Sequence, residues 1–292
     1  MNNFDAVFSS EKDAVEEIIY GYCPDEFGKQ SLIFEAMNYS VKAGGKRLRP
    51  ILMIETFKLF GEDEELVYPF MAAIEFIHTY SLVHDDLPAM DDDEFRRGQK
   101  TTHAKYGEDI GILAGDGLLN YAYEVMSEAV VKNPSASKAM AIIAKKAGSY
   151  GMVGGQTVDV INEGKKLDIE TINFIHNLKT AALIEASMMA GAILGGATDE
   201  QVLQVESIAK NIGMAFQIQD DILDVTGDEA KLGKPVLSDE KNEKDTYITL
   251  IGLEESQQKV KDLSNLAIDG IKALGDNEFL VTLVEKLISR EY

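Results

Sequence analysis

The apolar positions of this chain fall into runs with helical rather than strand periodicity. The segment FMAAIEFIHTYSLV, Phe70 to Val83, is apolar on nearly every side, which predicts a helix enclosed by other helices. Thr198 to Gln201 (TDEQ) reads as a capping box at the head of VLQVESIAKNIGMAFQIQDDILD. Asp168 precedes another periodic run, which Gly195 and Gly196 would stop. The prolines stand at 24, 50, 69, 88, 134 and 235, so long helices are permitted through most of the second half. There is no sustained period-two alternation, no Asn-Gly hairpin signal, no fixed repeat and no low-complexity linker. The pattern predicts an all-α fold, with residues 1–292 as one large helical domain.

Composition narrows the function classes. Hydrophobic residues make up 45% and charged residues 27% of the 292 positions, as in an ordinary globular protein. Lys and Arg number 28 against 50 Asp and Glu, a net charge of −22 that disfavours nucleic acid and anionic membrane as partners. An anionic substrate must then be captured by local cations or metals, against the field of the whole molecule. Cys23 is the only cysteine, so no intramolecular disulfide can form, and a reducing compartment is expected. The first thirty residues lack the basic start and apolar core of a signal peptide. The apolar run Ala186 to Ala197 is too short to span a bilayer. These features lead us to expect a cytoplasmic protein without a membrane anchor.

Two acidic clusters stand out against this background. HDDLPAMDDDEFRRG, His84 to Gly98, concentrates carboxylates and follows them with Arg96 and Arg97. Asp85 and Asp91 are six residues apart, about 240° on a regular helix, so they can share a metal only if Pro88 and its neighbours bend the chain. Asp92, Asp93 and Glu94 are then the solvated charges. The second cluster, FQIQDDILD, sets Asp220, Asp221 and Asp224 at about −60°, +40° and −20° from Gln217, all on one helix face. Three aspartates on one stripe repel each other and form helix poorly, so something positive should compensate. Mg²⁺ suits that role, because it takes carboxylate oxygen together with phosphates and water.

Seven ordered motifs join these clusters: GGKRLRP (Gly44 to Pro50), HTYSLVHDDLPAMDDDEFRRG, GGQTVD (Gly154 to Asp159), HNLKTAALI, FQIQDDILD, LGKP and KDTY (Lys244 to Tyr247). Over most of its length the chain resembles the trans-isoprenyl diphosphate synthase family, its bacterial farnesyl branch most closely. The resemblance implies a bundle around a deep central cavity, usually a homodimer, with the aspartate clusters facing each other across the mouth. It also implies head-to-tail condensation of an allylic diphosphate, dimethylallyl or geranyl, with isopentenyl diphosphate, assisted by more than one Mg²⁺ ion.

Roles follow by residue. Asp85, Asp91 and Asp220 are the leading metal ligands, with Asp86, Asp221 and Asp224 close behind, acting through bound water. By the resemblance, Lys179, Lys234, Lys244 and Arg96 hold the allylic diphosphate, and Thr180 and Gln217 turn oxygen dipoles toward the allylic cation. The homoallylic partner must not ionise, so it needs a metal-free anion site. Lys46 and Arg49 supply cations beside the close-approaching Gly44 and Gly45, and Arg97 completes the site. His78 lies within about 20° of Asp85 on one helix face, so it can point into the same cavity. Its assignment leans on the resemblance.

Product length in the family is set by bulk beneath the first cluster, which points to Tyr80 and a farnesyl-length product. Helical angles instead favour Ser81, Ile77 and Ile74, within about 80° of Asp85, over Tyr80 at about 140°. The floor stays open among these residues, and geranyl or geranylgeranyl diphosphate synthase is the alternative, with a noncatalytic subunit of such a synthase behind it. Two departures stand out: Leu237 replaces the glycine common in the loop before Lys244, and the tail offers a single arginine, Arg290.

Overall fold

In a computed structural model the described residues are 3–226 and 245–288. The chain begins with α1 (Asn3–Gly21), α2 (Ser31–Lys42), α3 (Leu48–Phe57) and α4 (Tyr68–Asp85). A short hairpin of β1 (Phe95–Arg96) and β2 (Gln99–Lys100) leads into α5 (Thr102–Tyr106) and α6 (Glu108–Lys132). Then come α7 (Ser137–Ala147), α8 (Met152–Ile161), α9 (Ile169–Ile175), a π-helical turn (His176–Ala181), α10 (Ala182–Leu194) and α11 (Asp199–Thr226). After the undescribed segment follow α12 (Tyr247–Ile251), α13 (Leu253–Leu274) and α14 (Glu278–Ile288). The fold is all-α, as the apolar pattern predicts.

The boundaries obey the expected capping chemistry. Thr198 Oγ1 accepts from the Gln201 backbone N–H while Gln201 Oε1 accepts from the Thr198 N–H, a reciprocal box at the start of α11. The Asp168 carboxylate caps α9 by accepting from the Thr171 N–H at 2.8 Å. α10 ends at Leu194, and Gly196 takes a positive φ of 92° just beyond it.

The interior is built on α4, α10 and α3. Phe70, Met71, Ile74, Phe76 and Ile77 of α4 are fully buried, consistent with a helix that is apolar all round. α4 packs along α6, α10 lies against α3, α7 and α11, and α11 packs along α13. Glu64–Asp85 is the one stretch among the described residues apolar and long enough to cross a bilayer, and most of it is enclosed by this packing.

Two local features depart from the sequence expectation of plain helices. The hairpin turns through Arg97 (φ 54°) and Gly98 (φ 76°), and its strands are too short for alternation to register. The run after Asp168 widens into the π turn at His176–Ala181 before resuming as α10. Such a turn adds a residue to the helix and shifts the side chains it carries. Lys179 and Thr180 are among them.

Candidate active site

The first acidic cluster is a helix end followed by a tight return. α4 stops at Asp85, and the chain turns through Leu87, Pro88, Ala89 and Met90. The Asp91 N–H donates to the Asp85 carbonyl at 2.8 Å, and the Asp93 N–H to that of Asp86 at 3.2 Å. The predicted bend is present, and it sets Asp91 beside Asp85. Asp92, Asp93 and Glu94 are exposed, as read from the sequence.

Burial pushes the Asp85 carboxyl up to about 6, with Lys179 opposing this and Asp91 reinforcing it. Gln156 of α8 donates its amide to Asp85 Oδ1 at 2.8 Å. Asp86 is buried and pairs with Arg96 Nε at 2.6 Å, so in this state it serves that arginine. Among the described residues no three His, Cys, Asp or Glu groups are gathered closely enough to chelate a cation by themselves. The carboxylates of Asp85 and Asp91 at this turn are oxygen donors of the kind Mg²⁺ takes, one or two at a time beside phosphate and water.

A cavity of about 520 Å³ opens beside this turn. Asp85, Lys179, Thr180, Arg49 and His78 line it, with Tyr80 and Ser81 on its α4 wall. Ile77 and Ile74 are fully buried in the core and are not among the lining residues. The cavity follows a broad arc of α4 that includes His78, Tyr80 and Asp85, while Ile77 is enclosed by the core packing. Tyr80 meets His84 edge-on, with ring centroids 5.8 Å apart, and His84 Nε2 is 3.0 Å from the Ile112 carbonyl. Clefts of about 570 and 690 Å³ elsewhere contain no residue of the seven motifs.

GGKRLRP divides its cations by task. Arg47, at φ 51° ahead of α3, is buried and gives Nη1 to Glu75 at 2.6 Å, Nε to Glu16 at 3.0 Å and Nη2 to the Val41 carbonyl at 2.7 Å. Burial works against its charge, but Glu75 more than compensates and holds its proton more tightly than usual. Arg47 is thus a structural anchor. Lys46 is exposed on one side of it. On the other side, Arg49 turns a buried Nε inward with no hydrogen-bond partner.

Burial lowers Arg49 to about 10, with Glu75 opposing and Arg97 adding to the effect. Arg97 folds over the loop and donates to the Gly44 carbonyl. A Cβ on Gly45 would come within 2.7 Å of the Arg97 guanidinium, so the adjacent glycines admit this side chain. Burial drives His78 well below its usual range, and Arg49, Arg97, Arg47 and Arg96 all act in the same direction. Positive charge thus bears on His78 from several sides, in a chain whose net charge is −22.

The second cluster is fixed from two directions. Thr180 donates to Gln217 Oε1 at 2.8 Å, which ties α11 to the cavity wall. Asp221 and Asp224 are buried and Asp220 is partly so. Asp221 Oδ2 accepts from the Tyr247 N–H at 3.0 Å, and His176 stacks on the Tyr247 ring at 5.5 Å. The tyrosine of KDTY therefore supports the aspartates. Val225, on the apolar side of this helix, is exposed. Lys234, Lys244, Leu237 and Arg290 lie outside the described residues.

Sequence reasoning assigned no role to Gln156, Asp159, Tyr247 or Glu75. The first three stand in motifs it quoted, so the signal was present. Glu75 is a lone acid on an otherwise apolar helix stretch, and that was its only trace.

Comparisons with known proteins place the chain in a family. The profile described as polyprenyl synthetase matches residues 30–281. Over 273 residues the chain is 43% identical to a farnesyl diphosphate synthase of Geobacillus stearothermophilus, covering 90% of this chain and 92% of that one. A geranylgeranyl diphosphate synthase of Cyanophora paradoxa is 42% identical over 96% of this chain and 94% of its own. Among solved structures, a geranyltransferase from Helicobacter pylori complexed with magnesium and isoprenyl diphosphate superposes with a TM-score of 0.83, at 30% identity, over 99% of this chain and 97% of that one.

Proposed function

The chain belongs to the polyprenyl synthetase family, and from that premise we propose that it is a prenyltransferase joining dimethylallyl or geranyl diphosphate to isopentenyl diphosphate, with farnesyl diphosphate as product. The observation that carries this reading is the buried, unpartnered Arg49 Nε beside a neutral His78, at the wall of the cavity that Asp85 and Lys179 also line. One end of the cavity suits a diphosphate that keeps its bond, and the other suits one that loses it.

The residues divide the reaction accordingly. Asp85, Asp91 and Asp220, with Asp86, Asp221 and Asp224 in support, would hold Mg²⁺, which when bound would neutralise charge on the departing diphosphate. Lys179 and Arg96 take oxygens of the same group, and Lys234 and Lys244 are assigned to it by resemblance. As the allylic C1–O bond breaks, Thr180 and Gln217 face the cation. Thr180 donates its proton to Gln217, which leaves the hydroxyl lone pairs for the developing charge. Lys46, Arg49, His78 and Arg97 hold isopentenyl diphosphate away from the metal, so its own C–O bond survives. Its double bond attacks C1, a C–C bond forms, and the proton leaves C2 for the released diphosphate.

Tyr80 and Ser81 form the floor in this reading, which limits growth to the farnesyl chain. The geranylgeranyl synthase among the relatives keeps a longer product as the second reading. We further assign the chain as a single domain acting as a cytoplasmic homodimer, with exposed Ile112 and Leu113 of α6 as apolar surface for the partner copy.

Incubation with Mg²⁺, isopentenyl diphosphate and either dimethylallyl or geranyl diphosphate, followed by chain-length analysis, tests the proposal. A farnesyl product supports it, a geranylgeranyl product moves it to the second reading, and absence of any prenyl product overturns it.

A further inference from the structure

GGQTVD is the one motif still without a task. α8 carries Gln156 and Asp159 three residues apart, on one side of the helix. Gln156 Nε2 donates to Asp85 Oδ1 at 2.8 Å, and Asp159 Oδ2 accepts from Lys179 Nζ at 2.6 Å. Just before them, a Cβ on Gly155 would stand 2.3 Å from the Lys179 backbone nitrogen. Only glycine lets α8 lie this close to the π turn. One turn of helix therefore grips an aspartate of the first cluster and the lysine of the diphosphate site, each separately.

Asp85 and Lys179 line the same cavity and each lies in the other's field. Opposite charges in a cavity wall attract strongly when little water screens them. An ion pair between these two would neutralise the carboxylate a metal needs and withdraw the ammonium a diphosphate needs. The partners found here prevent it by chemistry as well as place. Asp159 is an anion, so it can hold an ammonium. Gln156 is neutral, so it can orient a carboxylate without competing with a cation for it.

We propose that Gln156 and Asp159 are positioning residues that hold Asp85 and Lys179 apart before substrate arrives, so that neither is neutralised by the other. A diphosphate, with more negative charge than one carboxylate, then draws Lys179 away from Asp159. This inference rests on the metal and diphosphate roles proposed above for Asp85 and Lys179.

The test joins a ligand-free crystal structure of Asp159→Asn with Mn²⁺ titration by electron paramagnetic resonance, on full-length protein. In the variant, Lys179 Nζ is expected within hydrogen-bonding distance of Asp85, and Mn²⁺ affinity is expected to fall about tenfold, a typical coupling for contacting charges. The loss should vanish in the Lys179→Gln background and be reversed by Asp159→Glu. A role in folding α8 alone would not be cancelled by removing the lysine charge. Lys179 remaining beside residue 159 or turning to solvent overturns the proposal, as does a loss that persists without Lys179. If Asp159→Asn does not fold, Gln156→Met, which frees Asp85 toward Lys179, is read by the same two measurements. Mn²⁺ binding indifferent to Asp85→Asn would count against the metal assignment, while the position of Lys179 would still decide the inference.

Discussion

The backbone N–H of Asp91 donates to the carbonyl of Asp85 at 2.8 Å, which folds the first acidic cluster back on itself. Two carboxylates that a regular helix would place on different faces thereby share one end of α4. Replacing either Asp85 or Asp220 with alanine should lower kcat by about a hundredfold or more, as expected when charge stabilisation in the transition state is lost. Thermal stability should hold, because each change also relieves repulsion. Near-normal turnover in both variants would exclude the two-cluster mechanism.

The same carboxyl makes stability depend on pH. Burial raises Asp85 from 3.8 to about 6, so between those values the folded protein binds a proton that the unfolded chain releases. Its contribution is fully present below pH 3.8 and is lost as the pH rises through 6. In metal-free buffer, the melting temperature of Asp85→Asn relative to wild type should therefore rise as pH moves from 4 to 7. A constant difference across that range would rule out the shift.

Arg49 should prove specific for the homoallylic substrate. Arg49→Ala should raise KM for isopentenyl diphosphate by about tenfold to a hundredfold, the worth of a charge-assisted hydrogen bond, with little change in KM for the allylic diphosphate. Lysine at this position should not restore it, since the unpartnered atom is Nε of a planar fork. Equal effects on both substrates in steady-state kinetics would contradict two separate anion sites.

Arg47 looks the same as Arg49 in the sequence and behaves oppositely in the fold. Removing its shorter carboxylate contact by Glu75→Ala leaves a buried guanidinium with Glu16 alone opposite it and should cost up to about 3–5 kcal/mol of stability in denaturant titration. Soluble, folded protein should retain its KM for isopentenyl diphosphate within a few-fold. A stable variant with a large KM defect would make Arg47 part of the substrate site.

How legible the site was depended on where each side chain finds its partner. Asp85, Asp220, Lys179 and Gln217 sit in the ordered motifs that carry the family resemblance, so the sequence could single them out together. The helix termini at Asp168 and Thr198 were equally plain, because a cap acts within one turn. Arg47 and Glu75 were not separable from functional charges, since their pairing joins residues 28 apart in sequence and depends on how α3 meets α4. The π turn left no trace in hydrophobic periodicity. One added residue within a short stretch is smaller than the uncertainty of any periodic reading.

The residues that limit product length are a choice the sequence leaves open, and substitutions can decide it. Tyr80 and Ser81 line the space, and Ile77 lies in the packed core. Tyr80→Ala should remove a ring that stands edge-on to His84 and lengthen the void beneath the growing chain. The expected result is a shift from farnesyl toward geranylgeranyl product, read by chromatography of the dephosphorylated alcohols. Ile77→Ala should instead leave product length unchanged and cost stability, about 2–5 kcal/mol for a fully buried isoleucine. His84 is the check on mechanism. Its ring rests on α6, where a Cβ on Gly115 would come within 2.1 Å of Nε2, so Gly115→Ala should drive the imidazole toward Tyr80 and shorten the product. If Tyr80→Ala and Gly115→Ala move chain length in the same direction, the floor lies elsewhere. Opposite shifts fix it at the Tyr80 and His84 pair.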